Sequence, residues 1–166
     1  PQISIDLEPC ELRWVQVRPD LASGQCFKEL MRFFTEDSVQ NLAIADVTFL
    51  CGNKDFGMSV VDQLIEKGIS VVQTYEKDQR ESRRQKMGFY MGDARVKATT
   101  LHSFKGWESR LLVIYIGESV SQKDLALIYT GLTRLKRSAE GSCLTVVCCA
   151  PELQHYGATW PDFENT

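Results

Sequence analysis

The stretch LLVIYI, Leu111–Ile116, decides the fold, because an uninterrupted apolar run of this length is typical of a strand buried on both faces of a parallel sheet. Two other runs, VTFLC at residues 47–51 and the segment at residues 144–149, have the same apolar character. Residues 55–67 and 121–137 instead repeat apolar side chains at helical spacing. This alternation predicts an α/β fold with an open, mostly parallel sheet and helices on both faces.

Shorter patterns predict the remaining elements. They indicate a strand at 11–17, a helix at 24–34 capped by Ser23, and strands at 69–73 and 95–100, the last running into a loop.

Within the helix predicted at 121–137, the expected apolar stripe consists of Leu125, Ile128, Leu132 and Leu135. Residues 1–166 are interpreted as a single domain whose residues 151–166 form an irregular tail. In a parallel sheet, ligands gather beyond the carboxyl ends of the strands. The loops that follow Cys51, Thr100 and Ile116 are therefore expected to form the site.

The composition is that of an ordinary globular protein, with 43% hydrophobic and 25% charged residues. A net charge of −3 argues against a strongly basic, free-standing nucleic-acid binder, although a local basic face stays compatible with it. No apolar run approaches the roughly 20 residues of a membrane helix, so no membrane partner and a cytoplasmic location are expected. The cysteines form no C-x-x-C pair and only two histidines occur, so no metal site is expected.

The sequence lacks the standard phosphate-binding loop. The pattern G-x-x-x-x-G-K-[ST] does not occur, and the glycine-flanked segment GNKDFG at residues 52–57 lacks the Lys-Ser/Thr pair that should follow it. Without that loop the chain has no backbone cage for a triphosphate and its Mg²⁺. The chain alone is therefore not expected to hydrolyse ATP.

Residues 99–108, TTLHSFKGWE, place several phosphate-binding groups at a strand-to-loop junction. Hydroxyl, imidazole and ammonium donors together suit phosphate oxygens, and a carboxylate can accept from a ribose hydroxyl. The segment resembles motif V of UvrD/Rep helicases, T-x-H-x-x-K-G-x-E, at Thr100, His102, Lys105, Gly106 and Glu108. The resemblance implies DNA-backbone contacts for the first three, and nucleotide contacts for Gly106 and Glu108. The alternative is a polar loop closed by local hydrogen bonds.

Residues 127–137, LIYTGLTRLKR, resemble motif VI of the same family, L-x-Y-V-A-x-T-R-A. Tyr129, Thr133 and Arg134 occupy matching positions, whereas Thr130 and Gly131 replace the Val-Ala pair. By this resemblance Arg134 is the arginine finger, which reaches the γ-phosphate held by another domain. The alternative is a cation that simply favours the end of a helix dipole.

Together, in family order and with a predicted strand between them, the two motifs identify the chain as similar to the C-terminal RecA-like domain of UvrD/Rep-type superfamily I DNA helicases. The implied partners are single-stranded DNA and an N-terminal RecA-like domain of the same polypeptide, which would hold most of ATP and Mg. A second interpretation is a non-catalytic nucleic-acid or protein interaction module derived from such a domain.

Some features depart from the family or stay ambiguous. No confident copy of motif IV is found, and only about twenty residues occupy the place where UvrD inserts an accessory domain. That place contains the basic cluster of residues 80–86, which is either a DNA-facing arm or a solvated surface segment. Trp107, beside motif V, is a candidate to stack on a base and equally a candidate for packing.

Overall fold

The computed structural model describes residues 10–35, 47–75, 96–104, 108–136 and 141–166. These residues form strands and helices in alternation along the chain. The elements are β1 (Cys10–Gln16), α1 (Ala22–Thr35), β2 (Val47–Leu50), α2 (Lys54–Glu66), β3 (Val71–Gln73), β4 (Val96–Thr99), α3 (Leu101–Phe104), β5 (Leu111–Ile116), α4 (Gln122–Arg134), β6 (Ser142–Cys148), α5 (Gln154–Gly157) and β7 (Asp162–Asn165).

The strands of the described residues form one sheet in the order β3-β4-β2-β5-β6-β1-β7. Every pairing is parallel. The strand predicted from LLVIYI is central, with Leu111 level with Val47 of β2 on one side and with Cys143 of β6 on the other. Five of its six side chains are buried, and Tyr115 is half-buried. The predicted open parallel sheet is confirmed.

Helices cover both faces of the sheet, as predicted. On one face, α1 packs against β5 and α2 packs against β3 and β4, in an apolar cluster that includes Leu111 and Val113. On the other face, α4 packs against Leu112, Ile114 and Ile116. Successive side chains of a strand point to opposite faces, so one strand contributes to both apolar clusters.

The start of α1 differs from the prediction. The helix begins at Ala22, directly after a 3-10 turn over Pro19–Leu21, so Ser23 lies inside the helix and is not its cap. Proline fixes φ near the helical value, and a proline at the first position of the turn has already set the chain to helical conformation. No separate polar cap is then needed at residue 23.

The predicted apolar stripe of α4 was wrong at Leu125 and Leu132, whereas Ile128 and Leu135 do pack on the core. Leu125 and Leu132 are 49% and 41% exposed, whereas Leu127, Ile128 and Gly131 are buried. A Cβ on Gly131 would lie 2.4 Å from Cδ1 of Ile114. The glycine therefore permits a close approach of helix and sheet, and the helix is rotated so that this smallest residue faces β5.

Residues 151–166 are not the irregular tail that was predicted. After a 3-10 turn and the short helix α5, β7 adds to the edge of the sheet with Arg13 level with Asp162. The rings of Trp14 and Trp160 meet edge to face, with centroids 5.3 Å apart, and Tyr156 packs on Trp14 at 5.5 Å. These contacts with β1 order the segment even though its own sequence has little periodicity.

An ion-pair network anchors β7 and α1 to β1. Arg13 on β1 donates to Glu29 of α1 at 2.9 Å, to Asp162 at 3.2 Å, and to Glu164. The Glu29 side chain is almost fully buried and also accepts from Arg32 at 3.0 Å. Burial alone would raise the pKa of Glu29, but the hydrogen bonds from Arg13 and Arg32 outweigh it and lower that pKa. The carboxylates of Glu29, Glu164 and Asp162 in turn raise the pKa of Arg13.

We expect Gly157→Ala to destabilise the domain by about 1–3 kcal/mol, the usual cost of overpacking a filled core. A Cβ at Gly157 would lie 2.3 Å from Nε1 of Trp14, whose ring is fully buried and has no room to move. Gly24→Ala is the matched control, because a Cβ there meets nothing within 4 Å. Denaturant unfolding measures both variants. Equal midpoints for the two would contradict the packing account.

Acid should weaken the domain through Glu29. Its pKa is lower when folded than the ordinary value of 4.5, so its ion pairs stabilise fully above that pH. The contribution is lost as the pH falls through the lower folded value. We expect Glu29→Gln to be less stable than wild type at neutral pH, by about 1–3 kcal/mol. Between pH 5 and pH 2 the variant should lose less free energy of unfolding than the wild type does. Glu11→Gln, which alters the exposed partner of Arg32, should retain the wild-type profile.

Candidate functional site

A cavity of about 900 Å³ lies at the carboxyl edge of the sheet. It is lined by residues that follow β2, β4 and β5, among them Asn53, Thr100 and Gly117. The three loops that the sequence predicted to meet at one edge are thus brought together. Ligand sites of proteins commonly have this size and position.

Two helices begin at the rim of this cavity, and each start is fixed by a polar cap. Asn53 precedes α2, and its side chain accepts from the backbone N–H of Phe56 at 3.0 Å. Ser121 precedes α4 in a capping box with Asp124, whose carboxylate accepts from the Ser121 N–H at 2.7 Å. Such caps stabilise a helix start and hold the adjacent loop in one conformation.

The segment at residues 52–57 leads into α2, with Asn53 as the helix cap. Gly57 lies inside the helix, where a Cβ would meet the Tyr75 ring at 2.6 Å. This glycine therefore serves packing between α2 and a buried tyrosine, not close approach of a phosphate.

The motif V residues are divided by the structure. Thr100 directly follows β4, is half-buried, and accepts weakly from the backbone N–H of Ser103 at 3.4 Å. His102 lies in α3, where the sequence had predicted only a loop, because Thr100 starts a helical turn there. Lys105, Gly106 and Trp107 lie outside the described residues, as does the basic cluster at 80–86.

Glu108 and Arg134 lie near each other at the opposite, amino edge of the sheet. The backbone N–H of Ser109, next to Glu108, donates to the carbonyl of Arg134 at 3.2 Å. Lys136 returns a bond from its N–H to the Ser109 carbonyl at 2.8 Å. Both Glu108 and Arg134 are exposed. Among the described residues, neither side chain has a hydrogen bond or ion pair.

The two groups of motif residues are therefore far apart. Thr100 is level with the carboxyl end of β5 through the pairing of β4 with β2 and of β2 with β5. Glu108 precedes the amino end of β5. A strand of this length, at about 3.3 Å per residue, spans about 20 Å. One small ligand cannot contact Thr100 and Arg134 together.

The departures from motif VI have a structural account. Gly131 stands where the motif has alanine because α4 approaches Ile114 too closely for a methyl group. Thr133 donates its hydroxyl to the backbone carbonyls of Tyr129 at 3.0 Å and Thr130 at 3.2 Å. Tyr129 itself is 70% exposed. The matching residues thus lie in the last turns of α4, which end at Arg134.

Sequence reasoning missed several residues that line the cavity. Tyr115 is the main one: its ring stacks on Phe56, with centroids 3.7 Å apart and planes 9° from parallel. Burial raises the pKa of its phenol, which is a hydrogen-bonding group and not a base at neutral pH. Lys123 and Glu118 also line the cavity. Their position just after a central strand was the available signal.

Other chemistry is limited in the part of the chain that the structure describes. It contains no group of three or more His, Cys, Asp or Glu side chains placed to hold a metal ion. The six cysteines are free thiols, and burial raises the pKa of Cys51 to about 12. No helix among the described residues is both long and apolar enough to span a membrane.

Solved structures with this architecture include helicase C-terminal domains. The C-terminal domain of the DEAD-box protein Dbp5 aligns with a TM-score of 0.59 over 95% of this chain and 90% of its own, at 13% identity. The C-terminal domain of a "possible DNA helicase" from Lactobacillus plantarum aligns at 0.51 over 96% and 85%, at 14% identity. Escherichia coli DEAD-box protein SrmB, bound to RraA, aligns at 0.51 over 96% and 91%, at 9% identity.

These similarities establish the fold, which is the RecA-like α/β fold of helicase C-terminal domains. They do not select the UvrD/Rep type, since two of the three neighbours are DEAD-box proteins. No protein-family model and no curated protein matches the sequence.

We expect Ser121→Ala to destabilise the domain by about 1 kcal/mol, because it removes the cap of α4. Ser119→Ala is the matched control: Ser119 also lines the cavity and is exposed, but it caps no helix in the described structure. Thermal unfolding of both variants measures the difference. A Ser121→Ala protein as stable as the control would show that the capping box contributes nothing.

Proposed function

We propose that this chain is the C-terminal motor domain of an ATP-dependent single-stranded DNA helicase or translocase of the UvrD/Rep type. The observation that carries the proposal is the division of the motif residues between two edges of one sheet. Glu108 and Arg134 lie together at the amino edge, while Thr100 lies at the carboxyl edge. A motor domain needs separate surfaces for nucleotide and for strand, so this division matches the roles that the motifs imply.

The amino edge is proposed as the nucleotide side. Arg134 ends α4 with an exposed guanidinium that has no partner among the described residues. From there it would reach the γ-phosphate held by an N-terminal RecA-like domain and stabilise charge in the transition state. Glu108 would accept from the ribose hydroxyls, with Gly106 beside it in sequence. ATP and Mg would be held mainly by the other domain, because this chain provides two nucleotide-facing side chains and no phosphate cage.

The carboxyl edge is proposed as the strand side. Thr100 presents its hydroxyl at the cavity rim, where it can donate to a phosphate oxygen. By their place in motif V, His102 and Lys105 would contact the same backbone and Trp107 would stack on a base. ATP would draw the two RecA-like domains together through Arg134, and hydrolysis would release them, so that the grip on the strand alternates.

Arg134→Ala should reduce ATP turnover by about 10³–10⁵-fold in a polypeptide that carries this chain with its N-terminal RecA-like domain. Nucleotide binding should be largely retained, because most contacts to ATP belong to the other domain. Steady-state hydrolysis and equilibrium nucleotide binding measure the two effects. Lys136→Ala, which removes an exposed cation two positions further on, should leave turnover within a few-fold of wild type.

Thr100→Ala completes the test. It should weaken binding to single-stranded DNA and leave basal hydrolysis near wild type. Unchanged turnover in Arg134→Ala would disprove the arginine finger. Strand binding that is indifferent to nucleotide in the intact polypeptide would instead support the alternative, a non-catalytic interaction module.

A further inference from the structure

The helix α4 has apolar side chains on more sides than the sheet covers. Its inner side is buried against β5 and β6. Three further large apolar side chains of the same helix, Leu125, Tyr129 and Leu132, are exposed. A helix that is apolar nearly all round is typical of a buried position. The sequence of α4 is therefore that of a helix covered on two sides, while the described part of the chain covers one.

The three exposed side chains form one continuous row, which we call the outer stripe. Leu125 and Leu132 are two turns apart and differ by about 20° round the helix axis, and Tyr129 lies between them, about 40–60° from each. The row follows the helix for about 10 Å. Its exposed area is on the order of 300 Å², a size at which apolar surface often marks an interaction site, whereas an isolated residue such as Ile65 on α2 needs no explanation.

The outer stripe is turned away from the charged side of α4. Lys123 and Arg134 lie about 160–180° round the helix axis from both leucines. Asp124 is engaged by the Ser121 N–H and hydroxyl at the helix start. α4 therefore contributes no charged side chain to the stripe. The stripe also faces away from the side on which Arg134 would meet a nucleotide, so it is a separate surface from the cleft between motor domains.

Charge and area decide between the kinds of occupant. Nucleic acid or an anionic membrane would be drawn to the cations of α4, which point the other way. A stable pair of globular copies buries about 800 Å² on each partner, more than twice the area of the stripe. A single helix needs less surface. Apolar side chains at i, i+4 and i+7 are the spacing on which one helix packs lengthwise against another.

We propose that the outer stripe docks one amphipathic helix of another protein, which lies along α4 on the side away from Arg134. The inference goes beyond the proposed function and does not depend on it. Shape specifies the occupant further. Tyr129 is 70% exposed and protrudes, and the small side chain of Ala126, also exposed, lies one turn before it. The docked helix therefore has alanine or glycine opposite Tyr129 and a large aliphatic side chain opposite Ala126.

The experiment uses a displayed library of short helical peptides as the probe. Outward positions are fixed as glutamine and glutamate, inward positions are randomised, and the library is selected on this chain. The enriched peptides should share large aliphatic residues at helical spacing, interrupted by one alanine or glycine. A peptide of the same composition in scrambled order should not bind, as measured by fluorescence anisotropy.

Variants of the chain then locate the selected peptide. Leu125→Gln combined with Leu132→Gln should weaken its binding by about tenfold or more. Both leucines are exposed, so the midpoint of denaturant unfolding should stay near that of wild type. Ile65→Gln, at a residue that is 55% exposed on α2, is the matched control and should leave the affinity unchanged. Tyr129→Ala, at the centre of the stripe, gives an independent check if the double variant does not fold.

Each other outcome overturns the inference. No enriched peptide, or a peptide that binds the double variant as tightly as wild type, shows that the stripe is no helix-docking surface. A dimer in sedimentation equilibrium that the double variant abolishes makes a second copy the occupant. Binding to phosphatidylcholine–phosphatidylserine vesicles that the double variant abolishes makes it a membrane. None of these results alters the ATP turnover on which the proposed function is judged.

Discussion

The parallel pairing of β2 with β5 is the constraint on which the other features depend. Four consecutive positions of β2 lie level with Leu111–Ile114, at the centre of the sheet. Because the two strands run the same way, both must be connected by crossovers, and these crossovers go to opposite faces. That arrangement buries β5 on both sides, requires its apolar sequence, and opens the cavity between the two loops at its carboxyl end.

The sequence was sufficient wherever one residue pattern determined the outcome. The continuous apolar run of β5 implied burial on both faces. Gly68 follows α2 with φ +80°, a conformation that glycine adopts readily at a helix end. The rotation of α4 was not predictable, because it depends on how closely Gly131 approaches Ile114 in space. Nor was β7, a four-residue edge strand whose order comes from contacts with β1 rather than from its own periodicity.

The candidate site also has features that the sequence could predict and features that it could not. Motif spacing predicted roles for Thr100, Glu108 and Arg134, but no spacing could show that the last two lie about 20 Å from the first, since a strand of unknown register separates them. Tyr115 was counted as core because it belongs to an apolar run, although its half-buried ring lines the cavity. α4 spans the same distance, about 20 Å at 1.5 Å per residue. It joins the capped loop of the cavity to Arg134, so a rigid shift of this helix would move both ends.

The position of β1 bears on how the chain acquires its structure. Its two neighbours, β6 and β7, both come from the other end of the sequence, and the Arg13–Asp162 pair joins residues 149 positions apart. During synthesis β1 therefore leaves the ribosome long before either partner exists, and its buried Trp14 has no cover until then. The central strands have nearer partners and can pair first. Long-range closure of this kind slows folding, so docking of β1 should be the late, rate-determining step.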